Sequence, residues 1–139
     1  MIIPLLGIAA TAALLTGCNL QDDSVEPGPT GVATKLPQDS DRAKSSKQAQ
    51  EFRSWVDKHG NASQQKAASR VQRIIGDSDD KSGTVFISTD INGGPNPVTD
   101  PTSTAEAIVK TFTAYTKPQR TRVSVYDVFG QVLADNAGT

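Results

Sequence analysis

The stretch TVFISTD, residues 84–90, decides the fold of this chain. It is short and rich in β-branched residues, and apolar side chains recur at alternate positions, which is typical of a β-strand. We expect Val85 and Ile87 to face the core, together with Ile91 just beyond the strand. The other predicted helices and strands lie before and after this strand in the sequence.

A loop and a helix follow the strand. The stretch INGGPNPV, residues 91–98, is predicted to be a loop because its glycines and prolines disfavour regular structure. Asp100 followed by Pro101 is typical of a helix start, and a helix is predicted over residues 102–115. The apolar positions that this helix is expected to bury are Ala105, Ile108, Val109, Phe112 and Tyr115.

Two more strands are predicted near the end of the chain. Apolar side chains alternate over residues 120–126, and a returning strand covers residues 131–134. Between them lies the turn DVFG, residues 127–130, with Gly130 where a positive φ is required. A strand, helix, strand order favours a parallel crossover, and the final pair is expected to be antiparallel.

Two helices are predicted upstream of the first strand. The first covers Ala43 to His59, starts at a Ser40 or Asp41 cap and is followed by Gly60. Its core face holds Ala49, Phe52 and Val56, with Trp55 beside it. The second covers Ser63 to Ile75, with Gly76 as its C-cap. Its apolar stripe is Ala67, Val71, Ile74 and Ile75.

The sequence therefore predicts an α/β (α+β) fold in a single small domain, residues 41–139. An N-terminal helical hairpin is followed by β-α-β-β, and a mixed three-stranded sheet is covered by helices. Residues 18–40 carry prolines and glycines with few large apolar side chains, which indicates a flexible tether.

The N-terminal segment has the composition of an export signal. Residues 1–17 contain no charged residue, and the apolar run is shorter than the roughly 20 residues of a spanning helix. The stretch LTGC, residues 15–18, resembles the lipobox of bacterial lipoproteins. That resemblance implies a signal peptide over residues 1–17, a diacylglycerol thioether on Cys18, and often a further acyl chain such as palmitate. The alternative is that Cys18 is a buried thiol of a core helix.

The lipobox also implies a location. A lipid on Cys18 would hold the chain at the extracytoplasmic face of the cell membrane. Since Cys18 is the only cysteine, the rest of the chain can form no internal disulfide. The formal net charge is only −1, but residues 42–73 are mainly basic. We interpret these charges as solvated helix faces; the alternative is a surface that attracts anionic lipids or cell-wall polymers.

No catalytic or metal site is predicted. His59 is the only histidine and lies at a helix end, where it is expected to interact with the terminal carbonyls. The acidic turn at Asp77, Asp79 and Asp80 does not follow the EF-hand spacing, so a solvated turn is favoured over calcium binding. No cofactor is predicted, and no motif indicates nucleic-acid binding.

The loop after the first strand is the candidate ligand site. In α/β sheets, ligands bind beyond the carboxyl ends of strands, and exposed amides near a helix start favour anions. The candidate residues are Asp90, Asn92, Gly93, Gly94, Asn96 and Ser103. The alternative is a loop that is merely long.

From Gly83 onward the chain resembles small uncharacterised lipoproteins of actinobacteria, in the strand at 84–90, the helix around 105–112 and the stretch VSVYDVFGQVLA, residues 123–134. This resemblance implies no activity. Our first hypothesis is a non-enzymatic lipoprotein that presents a binding domain for an envelope protein or a small ligand. The second is a mobile-element lipoprotein that excludes competing DNA by contacting an envelope protein. The third is an enzyme.

Overall fold

The computed structural model describes residues 35–76, 83–116 and 122–136. Within these ranges the chain forms three helices and four strands. In chain order they are α1 (Arg42–His59), α2 (Ala62–Ala68), β1 (Val71–Ile75), β2 (Thr84–Thr89), α3 (Pro101–Thr116), β3 (Arg122–Tyr126) and β4 (Val132–Asn136).

The four strands form one mixed sheet in the order β1-β2-β3-β4. β2 and β3 are parallel neighbours joined through α3, and β4 returns antiparallel to β3, so both predicted pairings are confirmed. The predicted three-stranded sheet is wrong, because β1 pairs antiparallel with β2 and adds a fourth strand. The fold is of the α+β class.

The predicted N-terminal helical hairpin is also wrong. The second helix ends at Ala68, and Ser69 and Arg70 turn the chain into β1 instead of continuing to Ile75. The register of β1 shifts between Val71 and Arg73, so an extra residue is inserted there. Val71 and Ile74 consequently both face the core although they are three positions apart, which is the spacing that indicated a helix.

The core lies between the sheet and the helices. α1 packs on β1, and α3 packs on β3 and β4. Phe52 of α1 and Phe112 of α3 meet edge to face, with ring centroids 5.3 Å apart. Most of the predicted core residues are confirmed, since Ala49, Phe52, Val56, Val85, Ile87, Ile91, Ala105 and Ile108 are fully buried, and Val109 and Phe112 nearly so. Ile75 and Tyr115 were also predicted to be in the core and are only partly buried.

None of the three described helices packs on the other face of the sheet. The strand register places Arg73, Ser88, Tyr126 and Val132 in one row across this face. We call residues 35–40 the strap, because it connects the two ends of this row. At the β4 end the Leu36 amide donates to the Gly130 carbonyl over 2.9 Å.

At the β1 end the strap is held by Asp39. Its carboxylate accepts hydrogen bonds from the Ser45 hydroxyl (2.6 Å) and from Arg73 (3.0 Å), and its side chain is only 5% exposed. Ser88 and Tyr126, in the middle of the row, are buried. The predicted tether extended to Ser40, and within its last six residues Lys35, Leu36 and Asp39 contact the sheet or α1.

Candidate functional site

A cleft of about 730 Å³ lies between α2, the loop at residues 96–100 and the first turns of α3. It lies beyond the carboxyl end of β2, the place where the sequence predicts a ligand site. Its polar lining consists of Ser63, Lys66, Ser69, Arg70, Asn96, Thr99, Asp100, Ser103 and Thr104.

An ion pair closes the cleft where β1 begins. Arg70 Nε lies 2.7 Å from Asp90 Oδ1, and the side chains are 16% and 41% exposed. The backbone joins the same two residues, since the Asp90 amide donates to the Arg70 carbonyl over 3.2 Å. Asp90 therefore contributes to the wall through Arg70, and its charge is neutralised there.

The start of α3 forms the opposite wall. Asp100 Oδ1 accepts a hydrogen bond from the Ser103 amide (2.9 Å), and the Thr104 hydroxyl donates to the Asp100 carbonyl (2.9 Å). The cap predicted from Asp100 and Pro101 is thus present. Because the Asp100 carboxylate already accepts from the Ser103 amide, that amide is not open to a phosphate, and the negative charge there disfavours an anion.

Five polar side chains of the lining are available to a ligand. Among residues 35–76, 83–116 and 122–136, the lining side chains that make no hydrogen bond or ion pair are Ser63, Lys66, Asn96, Thr99 and Ser103. They come from α2, the loop and α3, so they bring an ammonium, an amide and three hydroxyls to one cleft. This combination suits a small solute that has both an anionic group and hydrogen-bonding groups.

The structure divides the predicted ligand loop in two. Asn96 and Ser103 line the cleft, and Asp90 adjoins it. Asn92 instead takes φ 66° and donates through Nδ2 to Asp127 Oδ2 over 3.0 Å. Gly93 lies against the β3–β4 turn, where an added Cβ would be 2.9 Å from Val128 Cγ1.

Gly94 also lies away from the cleft lining. It has φ 81°, which explains the glycine at this position, and no atom would lie within 4 Å of an added Cβ. Asn92, Gly93 and Gly94 therefore shape the chain path and support the neighbouring turn. The partner of Asn92, Asp127, is 35 positions away, so local sequence gave no signal of this role.

Sequence reasoning missed Lys66 and Arg70 as site residues. Both were assigned to a continuous helix ending at Ile75, which would have placed them along a solvated face. Because α2 ends at Ala68, Arg70 instead lies beside Asp90, where β1 begins and β2 ends. A β-branched run after a short helix is the signal that could have revealed this turn.

A second depression of about 700 Å³ lies on the outer side of α1 and α3, and we call it the aromatic groove. Trp55 contacts Tyr115, with ring centroids 5.4 Å apart, and stacks on His59 at 4.8 Å. His59 Nδ1 donates to the Trp55 carbonyl over 2.8 Å, which confirms the predicted interaction with carbonyls at the helix end. Burial, helped by the charge of Glu51, raises the pKa of the Tyr115 hydroxyl.

No group of three or more histidine, cysteine, aspartate or glutamate side chains within the described ranges could hold a metal ion. The helices described here include none with both the length and the apolar character to span a bilayer. Asp77, Asp79, Asp80 and Cys18 lie outside the described residues.

Comparison with known proteins gave no significant match, whether against protein-family models, curated proteins or solved structures.

Proposed function

We propose that this chain is a lipoprotein anchored through Cys18 at the extracytoplasmic face of the cell membrane, and that its domain binds a small polar solute. The observation that carries the binding role is the cleft between α2 and α3. Its volume of about 730 Å³ falls within the range of roughly 300–1,000 Å³ that small-molecule sites occupy.

The cleft also supports a choice of solute. Lys66 supplies a positive charge, while Arg70 is neutralised by Asp90. Asn96 and Ser103 can each donate and accept hydrogen bonds. A solute with one carboxylate or phosphate and several hydroxyl or amide groups would satisfy this lining, as amino acids and sugar phosphates do.

Binding is favoured over catalysis by the position of the titratable groups. The chain's only histidine, His59, lies in the aromatic groove on α1, away from the cleft. Among the described residues, Asp100 lines the cleft and Asp90 adjoins it, and both are engaged, Asp90 with Arg70 and Asp100 with the start of α3. Catalysis by a general base and a nucleophile would require a base without another partner within hydrogen-bond distance of the nucleophile.

The anchor is tested by Cys18→Ser expressed from the native start. We expect the wild-type protein in the membrane fraction and the variant in the soluble fraction, because the thioether requires the thiol. Ser24→Ala, also upstream of the described residues, is the matched control and should stay with the membranes. Membrane association unchanged by Cys18→Ser would overturn the anchor.

The cleft is tested by a thermal-shift screen of amino acids, monosaccharides and sugar phosphates. A ligand at one hundred times its Kd adds about 2.7 kcal/mol of stability, which is several degrees for a domain of this size. Lys66→Ala and Asn96→Ala should abolish the shift. Lys110→Ala, which removes an exposed lysine of α3 outside the cleft, should retain it. Hits that survive both cleft variants would contradict this site.

A further inference from the structure

Two large apolar side chains are exposed among the residues that the structure describes, and they are neighbours. Val128 is 49% and Phe129 is 76% exposed, and both lie in the turn between β3 and β4. Single exposed apolar residues are common on protein surfaces, but an adjacent pair on one turn forms a patch that water solvates poorly.

The backbone of this turn is fixed, so the exposure of Phe129 is built into the fold. Asp127, which is only 5% exposed, accepts hydrogen bonds at Oδ1 from the amides of Phe129 and Gln131, both over 2.9 Å. The Val128 amide donates to the Ile91 carbonyl over 3.0 Å. The Phe129 ring therefore projects from a turn that is held in place on both sides.

The turn contacts the first described residues that follow Cys18 in the chain. Lys35 bridges to Gln131, and the Leu36 amide donates to the Gly130 carbonyl. The first described residue thus contacts the residues that follow Phe129. Positions 18 and 35 are 17 residues apart, and such a segment can span at most about 60 Å whatever its conformation.

We propose that Val128 and Phe129 insert into the head-group region of the same bilayer that holds the lipid on Cys18. This inference rests on the proposed anchor. The anchor keeps the domain near the bilayer, and the strap joins the segment from Cys18 to the edge that bears the apolar turn.

Charge is compatible with a lipid occupant. The only carboxylate of the turn, Asp127, is buried and hydrogen-bonded, and the exposed residue at the start of the strap is Lys35. An apolar tip without an exposed negative charge can approach anionic head groups. Together, the covalent lipid and the turn would hold the domain at two points, which orients the cleft relative to the membrane.

The test uses the full chain with its native anchor, purified from bacterial membranes and reconstituted into phosphatidylcholine–phosphatidylglycerol vesicles. Part of the phosphatidylcholine carries bromine on its acyl chains, which quenches nearby tryptophan fluorescence. Phe129→Trp in a Trp55→Phe background places the only tryptophan at the turn. The control is Ser54→Trp in the same background. Ser54 is an exposed residue of α1, and α1 packs over β1 at the opposite edge of the sheet.

We expect quenching of the Phe129→Trp protein to be at least about twice that of the Ser54→Trp protein, since an inserted side chain reaches roughly 5–10 Å into the interface. If Trp55→Phe lowers the melting temperature, the comparison is repeated with Trp55 retained and the signal of the parent subtracted. Equal quenching in protein that sediments with the vesicles would overturn the insertion and leave the anchor standing. Membrane association unaffected by Cys18→Ser would remove the anchor and the inference with it.

Discussion

The two faces of the sheet are closed by different kinds of interaction. One face is covered by α1 and α3 through fully buried aliphatic and aromatic side chains. The other is crossed by the strap, six residues held at its ends by a backbone hydrogen bond and by the Asp39 carboxylate. The first face depends on apolar area removed from water, and the second on a few directional polar contacts.

This difference predicts how each face fails. On the helix face each large buried side chain contacts many neighbours. Truncating one of them leaves a cavity and strongly lowers the free energy of unfolding. A polar anchor concentrates its contribution in one group. Removal of the Asp39 carboxylate deprives Arg73 of this partner and leaves the Ser45 hydroxyl with only the Arg42 carbonyl. The strap should therefore detach through one residue, whereas the helix face should weaken in proportion to the volume removed.

The largest effect is expected at Phe52. This side chain is fully buried and contacts Phe112 and Tyr115 at centroid distances of 5.3 and 5.4 Å. Phe52→Ala should lower the free energy of unfolding by about 3–5 kcal/mol, measured by urea denaturation. Phe129→Ala removes the same side chain from an exposed position and should change it by less than about 0.5 kcal/mol. Similar losses in both variants would contradict the assignment of the core.

The next largest effect is expected at Asp39. Asp39→Ala removes the acceptor shared by Ser45, Arg73 and the Asp41 amide, and should cost about 1–3 kcal/mol. Asp57→Ala is the matched control, because Asp57 is an exposed carboxylate of α1. Protease cleavage within the strap should also accelerate in Asp39→Ala alone. If the two variants have equal stability and cleavage rates, Asp39 does not hold the strap.

Most of the elements could be predicted from the sequence because their signals are local. The strand at 84–90, the helix after Asp100 and the Gly130 turn each contain their own determinants, and the structure contains all three. For β1 the local signals conflict, because its β-branched residues favour a strand while their spacing favours a helix. The bulge after Val71 places Val71 and Ile74 on one face, so a strand presents the apolar spacing of a helix.

The candidate site was predictable in part for the same reason. Asn96 and Ser103 lie in the loop and helix that the sequence identified, and they line the cleft. Lys66 and Arg70 depend on where α2 ends, which is decided by the pairing of β1 with β2. The contact of Asn92 with Asp127 joins residues 35 positions apart, and no local pattern reports it.

Acid should act on the strap before it acts on the helix face. Burial opposes ionisation of Asp39, but its hydrogen bonds from Ser45 and Arg73 outweigh this and hold the pKa of the carboxyl below its usual range. Stability from Asp39 is therefore present above about pH 4 and is lost as the pH falls further. The melting temperature of Asp39→Asn should be lower than that of the wild type at pH 6. The difference should narrow by pH 3, and a constant difference would contradict this assignment.

The smallest effect is expected on the melting temperature at alkaline pH. One tyrosine lies on each side of the sheet, Tyr126 on the strap side and Tyr115 on the helix side. Burial raises the pKa of Tyr126 on the strap side, offset by Ser124 and reinforced by Asp135, and burial also raises the pKa of Tyr115 on the helix side. A raised pKa means that the unfolded chain ionises first, so stability is intact below about pH 10 and falls as the pH rises above it. Because Tyr126 is fully buried and Tyr115 only partly so, Tyr126→Phe should flatten the decline in melting temperature between pH 9 and 11 more than Tyr115→Phe. If Tyr115→Phe flattens the decline more, the Tyr126 hydroxyl is more accessible to solvent than the Tyr115 hydroxyl. The strap would then shield its face of the sheet less well than the helices shield the other face.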